Sequence, residues 1–450
     1  MGHLRRRTEL GLLILAALVT GGTYTLASLS ATASLPANIG PFLAMIFGLL
    51  LVAHLAVRRL APNADALLLP IAGLLNGLGY VFIARSDRHL AGLQATWTAV
   101  GVAAFVVTLV LIRRVKVLER YRYSFALLGL VLLILPLLPV VGREINGARI
   151  WISIGPMNFQ PGEAAKLTLA TFLAAYLVER RELLAMATLR FGPLLLPEPR
   201  HLGPLLSAWG VSVLIMVAQK DLGSSLLFFA LFVVLVWVAT ERASYLALGV
   251  VMFGAASVLA YHQFGHVRTR VTIWLNPWPV AKDAGYQVVE AAFALAHGGL
   301  TGTGPGLGDP SRIPARETDF IFAVIGEELG LLGSTAIIAA FLLLVGTGLR
   351  IALNAQDPFE KLLATGLSTL VGLQAFLIIG GVIRVVPLTG VTLPFVSFGG
   401  SSLLANYVLL ALLVRISDEN ASRSATLSAG SQRSVGSTPP VGSTPPVSQR

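Results

Sequence analysis

The sequence predicts an all-α polytopic membrane protein of about twelve transmembrane helices, with both termini cytoplasmic and one large extracellular loop before the tenth helix. Three observations carry that prediction. Hydrophobic residues make up 55% of the 450 and charged residues only 12%, about half the charge of an average soluble domain. The mean hydropathy is +0.78. Twelve apolar stretches recur along the chain, most of them near the ~20 residues that a spanning helix needs.

Residues 10–29 follow Arg5, Arg6 and Arg7, as the core of a secretory signal would. At ~20 residues the run exceeds the 7–15 of a cleaved signal, so it is read as a retained first helix. The second, 40–57, ends at Arg58 and Arg59, and the third and fourth, 65–84 and 94–112, end before the cluster Arg113, Arg114, Lys116, Arg120 and Arg122. Lys and Arg favour the cytoplasmic side in short loops, so these two basic groups fix an inside end for the second and fourth helices. The fifth to ninth stretches are 123–141, 164–179, 204–218, 223–240 and 243–262, with Arg180, Arg181, Arg190, Arg200 and Arg242 on the inside by the same parity. The last three, 320–349, 361–382 and 401–417, bring the C-terminus inside. The polar, Gly- and Pro-marked loops 142–163, 219–222, 263–319 and 384–400 then share the outer face. Loop 263–319 is long enough to be either functional or disordered. Its Trp274, Trp278, Tyr286 and apolar stretch 288–296 favour an ordered loop.

Composition excludes several chemistries. With no cysteine there is no disulfide and no thiolate nucleophile or ligand. The net charge of +11 sits on no soluble basic domain, so no nucleic-acid partner is expected. The seven histidines show no ligand spacing. From about residue 418 the chain turns to Ser, Arg, Gly and Pro and repeats Val-Gly-Ser-Thr-Pro-Pro at 435–446, a composition that buries no core and predicts a disordered tail. The organisation is thus a five-helix region, 1–142, a membrane core, 143–417, and a tail, 418–450.

Several polar groups interrupt the apolar pattern. In Ile313-Pro-Ala-Arg-Glu317-Thr318-Asp319 a polar loop becomes a helix, and Thr318 and Asp319 stand where an N-cap belongs. Asp319 is then either a cap on the helix dipole or a general base at the membrane boundary. Glu327 and Glu328 follow two turns later, where they support an outward cavity or line an ion path. Glu163 and Lys166, three apart after Phe159-Gln-Pro-Gly162, share a helix face and can pair, as a structural ion pair or as a cavity wall. Lys220 and Asp221 make a tight turn between two helices, with Asp221 a natural N-cap. Arg149 beside Trp151 meets an anionic headgroup or anchors at the interface. The run Gly298, Gly299, Gly302, Gly304, Gly306, Gly308 lacks the Lys-Ser/Thr ending of a P-loop and reads as a flexible loop whose N–H groups could still touch a diphosphate. Finally, the irregular Pro387–Ser402 segment must line a cavity or be buried in protein.

Together these pieces resemble the SEDS family (shape, elongation, division and sporulation), the peptidoglycan glycosyltransferases with RodA and FtsW branches. The resemblance rests on Arg149-Ile-Trp-Ile, Phe159-Gln-Pro-Gly-Glu163-Ala-Ala-Lys166, Asp221-Leu-Gly-Ser, Asn276-Pro-Trp, Gly285-Tyr-Gln287 and Gly298-Gly-Leu-Thr-Gly-Thr-Gly304. The blocks Thr318-Asp-Phe-Ile-Phe-Ala…Gly333 and Pro387-Leu-Thr-Gly…Pro394-Phe-Val-Ser-Phe-Gly-Gly-Ser-Ser402 complete it. Members usually place three helices before the Arg149 region, where this chain has five, as in actinobacterial members of the elongation branch. The resemblance implies polymerisation of lipid II on the outer leaflet of the plasma membrane by an inverting mechanism. Asp319 would be the base, with Glu163 and Lys166 lining the cavity. Arg149, Lys220, Asp221, Thr318 and Ser401, in or beside matched motifs, are read as substrate-binding. A divalent cation (Mg2+ or Mn2+), or nearby Arg and Lys, would meet the leaving-group charge, and no organic cofactor is expected. The implied partners are a class B penicillin-binding protein and other elongation or division machinery. Gly162, Lys220, Glu290, Glu317 and Phe398 depart from the residues common in the family at those places. Competing readings are a flippase for lipid-linked precursors, a division-specific polymerase, and a scaffold that recruits wall enzymes.

Overall fold

The structure is a computed structural model that describes residues 2–32, 39–139, 141–145, 148–154, 157–185, 189–191, 194–196 and 199–435. It is built of fifteen helices: α1 Gly2–Thr32, α2 Ile39–Leu60, α3 Leu68–Ser86, α4 Arg88–Leu111, α5 Val117–Arg120, α6 Arg122–Ile134, α7 Pro161–Ala185, α8 Pro199–Ala218, α9 Leu222–Thr240, α10 Ala243–Gln263, α11 Gly265–Leu275, α12 Tyr286–Gly298, α13 Ile321–Asn354, α14 Pro358–Val382 and α15 Gly400–Val435. Eleven of the twelve apolar stretches fall on one of them to within a few residues, and the fifth, 123–141, runs past the end of α6. Among the described residues nine helices are long and apolar enough to cross a membrane. α6, α7 and α8 are not among these nine. α6 gives way at Ile134 to a short turn containing Pro136, which cannot continue the helical hydrogen bonding. α7 carries Glu163 and Lys166 in its first turns.

α3, α14 and α15 form the centre. Their apolar windows are 72%, 78% and 89% buried, against 33% and 22% for the peripheral α1 and α2. Polar side chains join the central helices in the way expected where water is absent. Asn76 of α3 donates to Thr98 of α4 at 3.2 Å and to Tyr407 of α15 at 3.0 Å.

Contacts between loops define two ends of the bundle. At one, α3 meets the loop after α12, and α11 meets the segment after α14. At the other, Lys116 pairs with Asp357 at 2.6 Å, Arg350 with Asp65 at 2.6 Å, and Arg415 reaches Leu60 and Ile112. A cavity of about 1000 Å³ lies at this second end, lined in part by Asn63, Asp65, Arg350 and Asn420. It lies away from every residue singled out in the sequence.

Two features differ from expectation. The segment 142–159 is a three-stranded antiparallel sheet, β1 Gly142–Ile145, β2 Ala148–Ile154 and β3 Met157–Phe159. β2 carries Ile150, Trp151 and Ile152, residues that favour a pleated, half-buried surface, and places Trp151 opposite Arg143. A second hairpin, β4 Leu189–Phe191 and β5 Leu194–Leu196, joins α7 to α8. The tail is the second difference. α15 runs on through Val435, and Asp418 and Asn420 are buried, so disorder from 418 does not hold. The polar residues there are polar because they bind other helix ends. Asp418 accepts the Asn63 N–H at 2.7 Å, Asn420 donates to the Ile351 carbonyl at 3.2 Å, and Arg423 pairs with Glu360 and Glu419. The repeat at 435–446 lies, apart from Val435, outside the described residues.

Candidate functional site

Asp319 is the only acidic residue lining a cavity of about 180 Å³ at the first end of the bundle. Arg270, Ile273 and Trp274 of α11 form one side, Gln287 and Val288 of α12 another, and Gly381 of α14 with Arg384 and Leu388 of the segment after it a third. The prediction that Thr318 and Asp319 cap a helix fails. α13 begins at Ile321, its N-cap is Phe320, and no side chain caps it. Thr318 instead donates its hydroxyl back to the Ala315 carbonyl at 3.2 Å. Freed from capping, the half-buried Asp319 carboxylate has no hydrogen-bond partner among the described residues. Burial pushes its pKa up to about 6, against the downward pull of the Arg270 charge. The two groups face one spot: a Cβ placed on Gly390 would lie 3.7 Å from an Arg270 Nη and 3.8 Å from an Asp319 Oδ.

Arg270 is fixed by donating to the Leu388 carbonyl at 3.0 Å. Arg384 and Trp274 form a reciprocal clasp. The guanidinium donates to the carbonyls of Trp274 at 3.0 Å and Leu275 at 3.2 Å, and the indole N–H donates to the Arg384 carbonyl at 3.1 Å. Arg384 thereby satisfies carbonyls left open at the C-terminus of α11, while its Nε stays buried without a partner among the described residues. The result is one carboxylate with a raised pKa beside two cations, a set suited to removing a proton while holding an anion. A metal fits this donor set poorly. Among the described residues no three His, Asp or Glu side chains converge, and the cavity lining offers one carboxylate and two guanidinium groups.

Sequence reasoning missed Arg270, Arg384 and the roles of Trp274 and Gln287. A signal existed, since arginines on the face predicted to be external run against the usual Lys/Arg bias.

The other expected site residues do not line the Asp319 cavity. Glu163 and Lys166 do pair, at 2.7 Å and buried. They lie one turn from Gln160, whose N–H donates to the Ser401 hydroxyl at 2.8 Å, so this part of α7 and the start of α15 form a second polar patch. Asp221 is the N-cap of α9, accepting the Ser224 N–H at 2.9 Å. Lys220 is exposed at the C-terminus of α8 with φ of 60°, a backbone closed to proline. Lys220 and Arg270 both add to the burial that lowers the pKa of His266, so Lys220 stands near the rim of the site. Arg149 is half-buried on β2, its Nε without a partner among the described residues.

A buried ion pair stripped of one partner leaves an uncompensated charge, at a cost of about 3–5 kcal/mol. Glu163→Lys alone should therefore lower the melting temperature sharply, and Glu163→Lys combined with Lys166→Glu should recover most of the loss. Equal damage from the single and double variants, read by thermal unfolding in detergent, would sink the pairing.

Glu327 and Glu328 hold the glycine run in place. α13 is interrupted at Gly330, φ 67° and ψ −165°, and the carbonyls and N–H groups released there are taken up by the loop. Thr303 and Gly304 donate to the carbonyls of Glu327 and Glu328 at 3.0 Å, and Leu331 and Leu332 donate to those of Gly299 and Leu300. A Cβ on Gly302 would lie 2.2 Å from the Glu328 carbonyl oxygen, which is why glycine stands there. The Glu328 carboxylate accepts the Gly306 N–H at 2.7 Å, and Arg85 of α3 donates to the Gly306 carbonyl at 2.8 Å. The loop is docked rather than flexible, and these N–H groups are committed to α13 rather than free for a phosphate.

Comparison with known proteins bears on this arrangement. The family profile described as "Cell cycle protein" (FTSW_RODA_SPOVE) matches residues 80–422. The chain is similar to "Peptidoglycan glycosyltransferase RodA" of Mycobacterium tuberculosis, 46% identical over 424 residues that cover 92% of this chain and 90% of that one. It is also similar to "Probable peptidoglycan glycosyltransferase FtsW" of the same organism, 35% identical over 379 residues, covering 81% and 70%. Among solved structures, one described as "Structural coordination of polymerization and crosslinking by a peptidoglycan synthase complex" superposes with a TM-score of 0.66 at 28% identity, over 79% of this chain and 98% of that one. A crystal structure of Thermus thermophilus Rod shape determining protein RodA gives 0.54 at 26% identity, over 79% and 96%.

Proposed function

Because the chain belongs to the FtsW/RodA/SpoVE cell cycle protein family, we propose that it is a peptidoglycan glycosyltransferase that polymerises lipid II, with Asp319 as its general base. The observation that carries the reading is the half-buried Asp319 carboxylate, free of hydrogen-bond partners among the described residues and with its pKa raised to about 6, in one cavity with Arg270 and Arg384. In the proposed reaction Asp319 takes the proton from the acceptor sugar 4-hydroxyl as that oxygen attacks the anomeric carbon of the donor. The bond from that carbon to the diphosphate breaks on the opposite face, so an α-linked donor becomes a β-1,4 linkage. Undecaprenyl diphosphate leaves with the bonding electrons, and Arg270 and Arg384 meet its charge. No step is routed through a metal.

The protein is proposed to work in the plasma membrane with twelve spans, both termini cytoplasmic and the Asp319 end outward. The twelve helices and the basic clusters after the second and fourth apolar stretches support that orientation. Identity of 46% to a RodA against 35% to an FtsW supports the elongation branch. A class B penicillin-binding protein is the proposed partner, supported by the similarity to a peptidoglycan synthase complex. The test is polymerisation of purified lipid II by the full-length protein, alone and with a cognate transpeptidase. Glycan polymer from either supports the reading. Translocation of lipid II across vesicles without polymer would replace it with the flippase.

A further inference from the structure

No donor among the described residues hydrogen-bonds the Asp319 carboxylate and no helix is capped by it, so its direction depends on how its backbone is held. Whatever fixes residues 317–320 therefore fixes the base. Two successive carbonyls immediately before Asp319 are held by two successive residues of the last loop. The Ser397 hydroxyl donates to the Thr318 carbonyl at 2.6 Å, and the Phe398 N–H donates to the Glu317 carbonyl at 2.8 Å. Ser397 is buried, and its oxygen also accepts the Leu393 N–H at 3.0 Å. It thus locks the 393–397 turn, in which Phe395 has φ of 64°, and grips the Asp319 segment with the same atom.

The turn itself is seated on α3. A Cβ on Gly79 would lie 2.3 Å from the Val396 carbonyl oxygen, so only glycine admits it. The same helix ends at Ser86, whose hydroxyl accepts from Arg316 at 3.0 Å. On that side Ala315, at φ 55°, accepts the N–H groups of Thr318 and Phe320 at 3.1 and 3.2 Å.

Resting on the reading of Asp319 as the base, we propose that Ser397 is its positioning residue, holding the Thr318–Asp319 peptide so that the carboxylate points into the cavity beside Arg270. Ser397 is not among the residues that line the Asp319 cavity. Its loss lets the peptide turn, and a base displaced by ~1 Å costs up to about 10²-fold in rate. Released toward water, the carboxylate also drops toward its ordinary range, so the acid limb of the rate profile shifts to lower pH.

The experiment compares wild type, Ser397→Ala, Ser397→Thr and Asp319→Asn as full-length proteins with the transpeptidase partner, polymerising lipid II across pH 5–8. Ser397→Ala is expected to lower kcat about tenfold or more with KM within about twofold, and to move the acid limb down. Ser397→Thr, which keeps the hydroxyl, is expected to restore both. Normal kcat in Ser397→Ala beside an inactive Asp319→Asn overturns this proposal and leaves the base intact. A lowered kcat with an unmoved acid limb, or no rescue by Thr, makes Ser397 a packing residue and also overturns it. An active Asp319→Asn overturns the assignment of the base and the positioning role together.

Discussion

Asp319→Asn should abolish glycan polymerisation while leaving folding intact. The amide has the shape of the carboxylate but accepts no proton, and a positioned general base contributes about 10²–10⁴-fold to rate. No hydrogen bond to the carboxylate is lost, so the thermal stability of the variant should match or slightly exceed wild type. The pH dependence follows from the same burial. The base works only when ionised. With a pKa raised to about 6, its ionised fraction, and with it kcat/KM, grows from pH 5 to pH 7 and is half-maximal near 6. An exposed aspartate, with a pKa near 3.9, would give a flat profile over that range. Polymer yield at fixed lipid II across pH 5–8 distinguishes the two, and a flat profile would remove Asp319 from the proton transfer.

A large effect on stability is expected at the opposite end of the bundle. Arg415 of α15 donates to the carbonyls of Leu60 at 2.6 Å, Leu109 at 2.5 Å and Ile112 at 2.8 Å, and lies 3.5 Å from Asp418. One guanidinium thereby closes the C-termini of α2 and α4, where orphan carbonyls and the negative helix end favour a cation. Arg415→Met keeps the apolar stem and removes every donor. A buried acceptor left open costs about 1–3 kcal/mol, so the loss should be on the order of 3 kcal/mol or more. Arg415→Lys should fall between, because an ammonium cannot reproduce the fork that reaches three carbonyls. Thermal unfolding in detergent should rank wild type above Lys above Met; a Met variant that melts with wild type would show that Arg415 carries no such load.

The helices were legible in the sequence because hydrophobicity is a local signal. A run of ~20 apolar residues needs no knowledge of its neighbours to be recognised. The Glu163–Lys166 pair was legible for a similar reason, being set by helical spacing. Asp319 was legible as a candidate, but its escape from capping was not. That depends on Ala315 adopting φ of 55° and drawing the Phe320 N–H away from any cap. Arg270 and Arg384 come together through the clasp between α11 and the segment after α14, residues more than a hundred apart in the chain. The helical tail eluded composition altogether, because a Ser- and Arg-rich segment looks solvated until its partners, Asn63, Ile351 and Glu360, are known.

The grip of Ser397 on Thr318 and of α3 on the glycine loop fixes when, during synthesis, the site can exist. Arg85 waits through 221 residues for the Gly306 carbonyl, and Thr318 through 79 more for Ser397. A chain released into the bilayer one helix at a time therefore holds Asp319 unsupported until the turn before α15 has been made. With Ser397 in the proposed positioning role, the Asp319 carboxylate takes its direction only once α15 is entering, and a partly inserted chain before that point lacks that support.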